Sequence, residues 1–344
     1  MAHFTRSTQK GGQTNMNTIY HHPGQPQMQA QAILASKGPE QEPIYTIRMR
    51  YPRIIHAEGK THRMTPFRTA IEEDISVMDD TTLSRNAGSS RARPAKVTIQ
   101  EVRDTPFIPW HWGKNQSGMQ ATEENNNPVW LYPKEPCERE HAWQAAAKSA
   151  ADAAQAFADS GYHKQVFNRL LEPFSWIDVL ATGTASNWKN FLWLRDHEDA
   201  EPHIADLAVL VGKAMKTCEI QNLSHYEWHL PYITESDLAY ATETFCDEYL
   251  TKTKEGWDFL LKVSAARCAR ISYAPFGSKE PNIEADLDLY EKLVGNARIH
   301  ASPMEHQATP DTPHDEETWD NPQLHGNLNG WIQFRQTIPN QKAT

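Results

Sequence analysis

Residues Tyr45-Thr46-Ile47-Arg48-Met49-Arg50-Tyr51 alternate apolar and polar positions, the pattern of a strand buried on one side only. A half-buried strand needs cover over its apolar face, and helical patterns elsewhere in the chain can supply it. Trp143, Ala147, Ala150, Ala154 and Phe157 fall on one helical face, with Gly161 as a natural stop. Pro202 opens another helix after Glu201, with Ile204, Leu207, Ala208, Val211 and Met215 on one stripe. Ile283, Leu287, Tyr290 and Val294 form a third stripe, and Gly330–Arg335 again reads as strand. Strands plus several long helices, without regular βαβ alternation, predict an α+β fold: a twisted, mostly antiparallel sheet flanked by long helices.

The 344 residues suffice for one large domain or two ordinary ones. Residues 1–43 are rich in Gln, Gly, Asn, Pro and His without apolar periodicity, and read as a disordered tail. Residues 44–344 read as a single domain, with an acidic insertion at about 64–83 and a Pro- and Trp-rich stretch of ordered loops and short strands at 94–136. The formal charge of −10 argues against tight nucleic-acid binding, which needs a basic face. It leaves room for a nucleotide monophosphate, because a few converging arginines hold one phosphate whatever the net charge. No apolar run approaches a membrane span, and no signal peptide is read at the N-terminus. Cys137, Cys218, Cys246 and Cys268 form no CxxC pair and read as reduced thiols of a cytoplasmic protein.

Neither GxGxxG nor GxxxxGK[ST] nor HExxH occurs. Only His300 and Glu305-His306 approach metal spacing, and no metal site is read from them. Pro136-Cys137 resembles a nucleophilic Pro-Cys pair, but Glu135 and Glu138 flank it and would raise the thiol pKa. Cys137 therefore reads as structural or incidental.

Three constellations remain. Glu58-Gly59-Lys60-Thr61-His62-Arg63 and Ser84-Arg85-Asn86-Ala87-Gly88-Ser89-Ser90-Arg91 place arginines and hydroxyls at close spacing, which suits either a phosphate cradle or a polar surface loop. Asn168-Arg169-Leu170-Leu171-Glu172-Pro173, Asn190-Phe191-Leu192-Trp193-Leu194-Arg195 and Ala200-Glu201-Pro202-His203-Ile204 follow in order. Arg195 alone could simply end an amphipathic helix. Ala266-Arg267-Cys268-Ala269-Arg270-Ile271-Ser272-Tyr273 precedes His300-Ala301-Ser302-Pro303-Met304-Glu305-His306, itself compatible with a helix-ending turn.

Together these segments resemble the flavin-dependent thymidylate synthases over roughly residues 44–340. The first is similar to the family pattern Arg-His-Arg-x-x-Ser-x-Asn-Glu-x-Ser-x-Arg-Tyr. Thr61, Ala87 and Ala92 replace the first Arg, the Glu and the Tyr, Glu58 stands where a Gln is usual, and residues 64–83 stand where the pattern has two residues. Thr184 occupies a family Asn position. The third segment comes first in cellular members and last here, so the chain resembles circularly permuted, phage-type relatives. Those also carry segments similar to Trp112-Gly113-Lys114-Asn115-Gln116 and Trp228-His229-Leu230-Pro231-Tyr232.

The resemblance implies methylation of dUMP at C5 to give dTMP, with FAD as cofactor and methylenetetrahydrofolate and NADPH as co-substrates. It implies Arg195 as the residue that activates the pyrimidine ring. Glu58, Arg63, Ser89, Ser90, Arg91 and Arg169 would bind the deoxypyrimidine monophosphate. Thr61, His62, Arg63, Asn86, Asn190, His300, Ser302 and Glu305 would bind the cofactor. A homotetramer in the cytoplasm (the host's, if the chain is virus-encoded) is implied as well. Two alternatives stay open: C5 methylation or hydroxymethylation of dCMP or dUMP, since Glu58 could accept from a cytosine amino group, and a degenerate homologue that binds nucleotide without chemistry.

Overall fold

The computed structural model describes residues 18–58, 83–118, 120–132, 135–245, 253–271, 282–295, 299–315, 318–339 and 341. Its first strands, β1 (Ile19–His22) and β2 (Gln25–Lys37), form an antiparallel hairpin around Pro23-Gly24. This corrects the expectation of a disordered tail over residues 1–43, of which 1–17 lie outside the described residues. In β2 Met28, Ala30 and Ala32 are buried and alternate with the half-buried Gln27, Gln29 and Gln31. Strand propensities differ by only about 1 kcal/mol. Burying one Met-sized side chain gives about 1.5–3 kcal/mol, so packing overrides the weak propensity of Gln and Ala.

β3 (Ile44–Pro52) follows, as its alternation predicts, and then β4 (Ser84–Ala87). The acidic insertion lies outside the described residues apart from Leu83. α1 (Ala95–Asp104) corrects the reading of 94–136 as loops and strands alone. Pro94 sits just before its first turn with φ −60°, where a fixed φ is compatible with helix. The short strands β5 (Val129–Tyr132) and β6 (Glu135–Cys137) bear out the rest of that reading.

α2 (Arg139–Asp159) ends before Gly161, which adopts φ +79°. Its buried line is Ala147, Ala151 and Ala154, and Phe157 is exposed instead of facing the core. α3 (Lys164–Phe167) runs into a 3-10 turn at Asn168–Phe174. Next come β7 (Trp176–Thr184), α4 (Ala185–Arg195), α5 (Pro202–Thr217), β8 (Ile220–Asn222) and α6 (Glu235–Phe245). α7 (Lys254–Arg270), α8 (Ile283–Val294), β9 (Ala308–Pro310), β10 (Trp331–Gln333) and α9 (Phe334–Thr337) complete the order.

The main sheet runs β1-β2-β3-β7-β4, each neighbouring pair antiparallel, with β8 parallel to β2. Helices lie on both faces, so the architecture is the α+β one the pattern predicts. Residues opposed in a ladder share a face. Ile47 with Ala181, Met49 with Val179 and Tyr51 with Ile177 face one side, where Ile204, Leu207 and Val211 of α5 and Trp188 and Phe191 of α4 complete the core. Leu180 faces the other side, against Cys268 of α7 and Ile271 just beyond it. α7 is buried nearly all round and joins α6 and α8 in a second core. Within it Arg267 Nε donates to Asp286 Oδ2 at 2.8 Å and Nη2 to Asp237 Oδ1 at 2.9 Å, tying the three helices together.

A file of side chains, buried from Ser36 to His306, crosses the second face. Gln221 Nε2 donates to Ser36 Oγ (2.8 Å), which lies 2.7 Å from His229 Nδ1. His229 Nε2 is 2.8 Å from Thr46 Oγ1, Thr46 is 2.7 Å from Thr182 Oγ1, and Thr182 is 2.9 Å from His306 Nδ1. His306 Nε2 has no partner among the described residues. Burial, joined for His229 by the nearby His306, pushes the pKa of both histidines down to about 3.

Candidate functional site

Pro52 ends β3, and Arg53–His56 form a single 3-10 turn. With three residues per turn, Arg53 and His56 lie on one side of it. Opposite, the chain leaving β4 is pinned by Gly88 N–H to Asp178 O at 2.9 Å. It then turns tightly, Ala92 N donating to Ser89 O at 3.0 Å. From a third direction comes the 168–174 turn, where Asn168 Nδ2 donates to Ser90 O (2.8 Å) and Arg93 O (3.1 Å). Ser90 Oγ donates to Glu172 Oε1 at 2.5 Å, closing the arrangement.

Between these three segments opens a cleft of about 640 Å³. Arg53, His56, Ser89, Ser90, Arg91, Arg169 and Glu172 are among its lining residues. Four expected nucleotide-binding residues, Ser89, Ser90, Arg91 and Arg169, thus meet in one place although they come from two distant motifs. Three arginines face one carboxylate there, an excess of positive charge suited to a phosphate. Burial lowers the Arg53 pKa below the ordinary guanidinium value; Glu172 opposes the shift and Arg93 adds to it. Burial likewise pushes the Tyr51 phenol up. It therefore keeps its proton and can donate to His56 Nδ1, 2.8 Å away.

Arg195 is not among the cleft-lining residues. It ends α4, whose start is fixed by a capping box between Thr184 and Asn187, a role that accounts for the hydroxyl at position 184. Arg195 Nη2 donates to Glu58 O at 2.8 Å, and Nη1 lies 3.6 Å from Glu58 Oε2. Ala57, one residue earlier, does line the cleft. Arg195 and Glu58 therefore form a pair immediately beyond the cleft wall. Thr61, His62 and Arg63 lie outside the described residues.

The expected cofactor residues divide. Asn86 is buried and donates from Nδ2 to Cys268 O at 2.8 Å. Ser302 Oγ lies 3.4 Å from both Asn86 Oδ1 and His300 Nε2, so these three residues do meet. Asn86 opposes Leu180 and Ala87 opposes Val179, so this group lies on the opposite sheet face from the cleft. Glu305 forms an ion pair with Arg335, and Asn190 Nδ2 is buried without a partner among the described residues.

Arg53 and His56 belong to none of the three sequence constellations. The available signal was their spacing of three directly after a strand-ending proline. Cys137 sits on the β5–β6 hairpin and is not a cleft-lining residue. Cys137, Cys218 and Cys268 are free thiols. Among the described residues no group of His, Cys, Asp or Glu is arranged to hold a metal, and no helix is long and apolar enough to cross a membrane.

No protein-family model matches the chain, and no curated protein matches it.

Proposed function

We propose that this protein methylates a deoxypyrimidine monophosphate at C5 in the manner of the flavin-dependent thymidylate synthases, with dUMP as substrate and dTMP as product. One observation carries the reading. Ser89, Ser90 and Arg91 after β4 and Arg169 in the 168–174 turn, matched to the family from separate motifs, line one positively charged cleft.

Arg91 and Arg169 hold the nucleotide phosphate, with Ser89 and Ser90 as hydroxyl donors. The Arg195–Glu58 pair sits just past the cleft, where the base of a nucleotide anchored by its phosphate could reach. A guanidinium fixed by the Glu58 carbonyl stabilises negative charge developing on the pyrimidine N3 and ring oxygen, which makes C5 more nucleophilic. The residues available for FAD fit in part. Asn190 offers an unpartnered buried amide, and His300 and Ser302 offer a paired ring nitrogen and hydroxyl, whereas Glu305 is committed to Arg335. When bound, the flavin supplies hydride equivalents drawn from NADPH, and methylenetetrahydrofolate supplies the carbon. A homotetramer, and residence in the cytoplasm, belong to the same proposal.

Glu58 favours a second reading, dCMP as substrate. Its carboxylate accompanies Arg195, and a carboxylate acceptor suits the exocyclic amino group that cytosine carries where uracil has a carbonyl. The experiment offers dUMP and dCMP side by side to the FAD-reconstituted protein with methylenetetrahydrofolate and NADPH, and identifies products by mass spectrometry. Methylated dUMP supports the first reading and modified dCMP the second. If neither nucleotide is converted while both bind, the protein is a nucleotide binder and the enzymatic reading is lost.

A further inference from the structure

We infer that Arg53 is a principal anion-binding group of the cleft and makes it selective for a dianionic phosphomonoester; this rests on reading the cleft as the nucleotide phosphate site. Arg53 is held from two directions. Its backbone N–H donates to Ser175 O at 2.9 Å, and its Nη2 donates to Gly88 O at 2.9 Å. The guanidinium is thereby fixed at the base of the turn that carries Ser89, Ser90 and Arg91.

A guanidinium has five N–H donors. Arg53 spends one on the protein among the described residues, and its Nε is buried without a partner. That nitrogen has no exposed surface, so an anion in the cleft would meet the Nη hydrogens left over from the Gly88 bond. Arg91 and Arg169 are solvent-exposed, whereas Arg53 is half-buried. Solvent screens contacts made by the first two more than those made by Arg53.

The charge count points to the ligand class. Arg53, Arg91 and Arg169 against Glu172 leave two uncompensated positive charges in the lining. A phosphomonoester carries about −1.5 to −2 at neutral pH and matches them. A phosphodiester, or any monoanion, leaves one charge over. Removing Arg53 leaves a single excess charge and abolishes the preference.

Binding is measured by calorimetry on the full-length protein with dUMP, dCMP, deoxyuridine, inorganic phosphate and the 5′-fluorophosphate of deoxyuridine, an isosteric monoanion. The unmutated protein should bind dUMP or dCMP at least tenfold more tightly than the corresponding monoanion or nucleoside. Arg53→Met should weaken the monophosphate at least tenfold and leave deoxyuridine within threefold, and Arg53→Lys should fall between. If the unmutated protein binds none of the nucleotides, the nucleotide reading fails, and binding of inorganic phosphate alone still tests Arg53. If nucleotides bind and Arg53→Met binds them equally well, or weakens deoxyuridine as much as dUMP, the role of Arg53 is overturned and the nucleotide reading stands. Should Arg53→Met fail to fold, equal binding of the monoanion and the dianion by the unmutated protein overturns the selectivity.

Discussion

Asn86 and Ala87 are neighbours in β4 and serve opposite faces of the sheet. Asn86 donates to the Cys268 carbonyl at 2.8 Å on one side, and Ala87 lines the arginine cleft on the other. β4, four residues long, thus separates the cleft from the Asn86–Ser302–His300 group. A bulky residue at position 87 should therefore act on the cleft side, where Ala87 also meets the main core, and spare the Asn86–Ser302–His300 group. Ala87→Leu is expected to weaken monophosphate binding about tenfold, with a melting temperature close to that of the parent. Equal losses in binding and stability would show that the two faces are not independent.

Arg169→Ala and Arg91→Ala each remove an exposed guanidinium from the cleft lining. A charge-assisted hydrogen bond contributes about 1.5–3 kcal/mol when shielded, and less here because solvent screens it. Each variant should lose about five- to tenfold in affinity for the monophosphate, and the loss should shrink as salt is raised. Titration at two ionic strengths checks this. A salt-independent loss would mean the arginines act through structure.

Arg195→Ala should reduce turnover about a hundredfold or more, the usual cost of removing one preorganised donor from a developing anion. Binding of the monophosphate should change little, because Arg195 does not line the cleft. A variant with unchanged kcat and a raised KM would reassign Arg195 to ground-state binding.

His229 and His306 remain neutral in the fold down to about pH 3. In the unfolded chain each takes up a proton near pH 6.5. Between these values the unfolded chain binds more protons, so the fold loses stability as pH falls, by up to about 1.4 kcal/mol per unit for each histidine. Urea midpoints between pH 6.5 and 4.5, above most carboxylate titration, should decline steeply. His306→Asn, which cannot titrate, should decline less steeply. Parallel curves for the two proteins would contradict the depressed pKa.

Arg267 lies buried between Asp237 and Asp286. Arg267→Met strands the buried Asp237 carboxylate and leaves Asp286 with Arg270 alone, and should cost about 3–5 kcal/mol. Chemical denaturation measures it, and a loss below about 1 kcal/mol would mean that the carboxylates find other partners.

What the sequence disclosed depended on the strength of each local signal. β3 was legible because Ile47, Met49 and Tyr51 alternate with arginines, and α5 because Pro202 follows the capping Glu201 and a regular apolar stripe continues from there. β2 was hidden because its buried face is mostly alanine, a residue that marks no strand by itself. α1 is hidden because Pro94 heads a Pro-rich stretch that reads as loop, although it precedes the first turn. At the site, Ser89, Ser90, Arg91 and Arg169 were found by motif. Arg53 and His56 were not, because only the 3-10 turn brings two residues three apart to the same wall.

β2 lies between β1 and β3 and also carries β8, so it is an interior strand of the sheet. A fragment beginning at residue 44, where the alternating pattern first becomes obvious, would strip β3 of that neighbour. Its main-chain groups from Ile44 to Arg50 would be left open to another chain. Such trimmed proteins should precipitate or associate edge to edge. The glutamine- and alanine-rich stretch that looks dispensable covers that edge of β3.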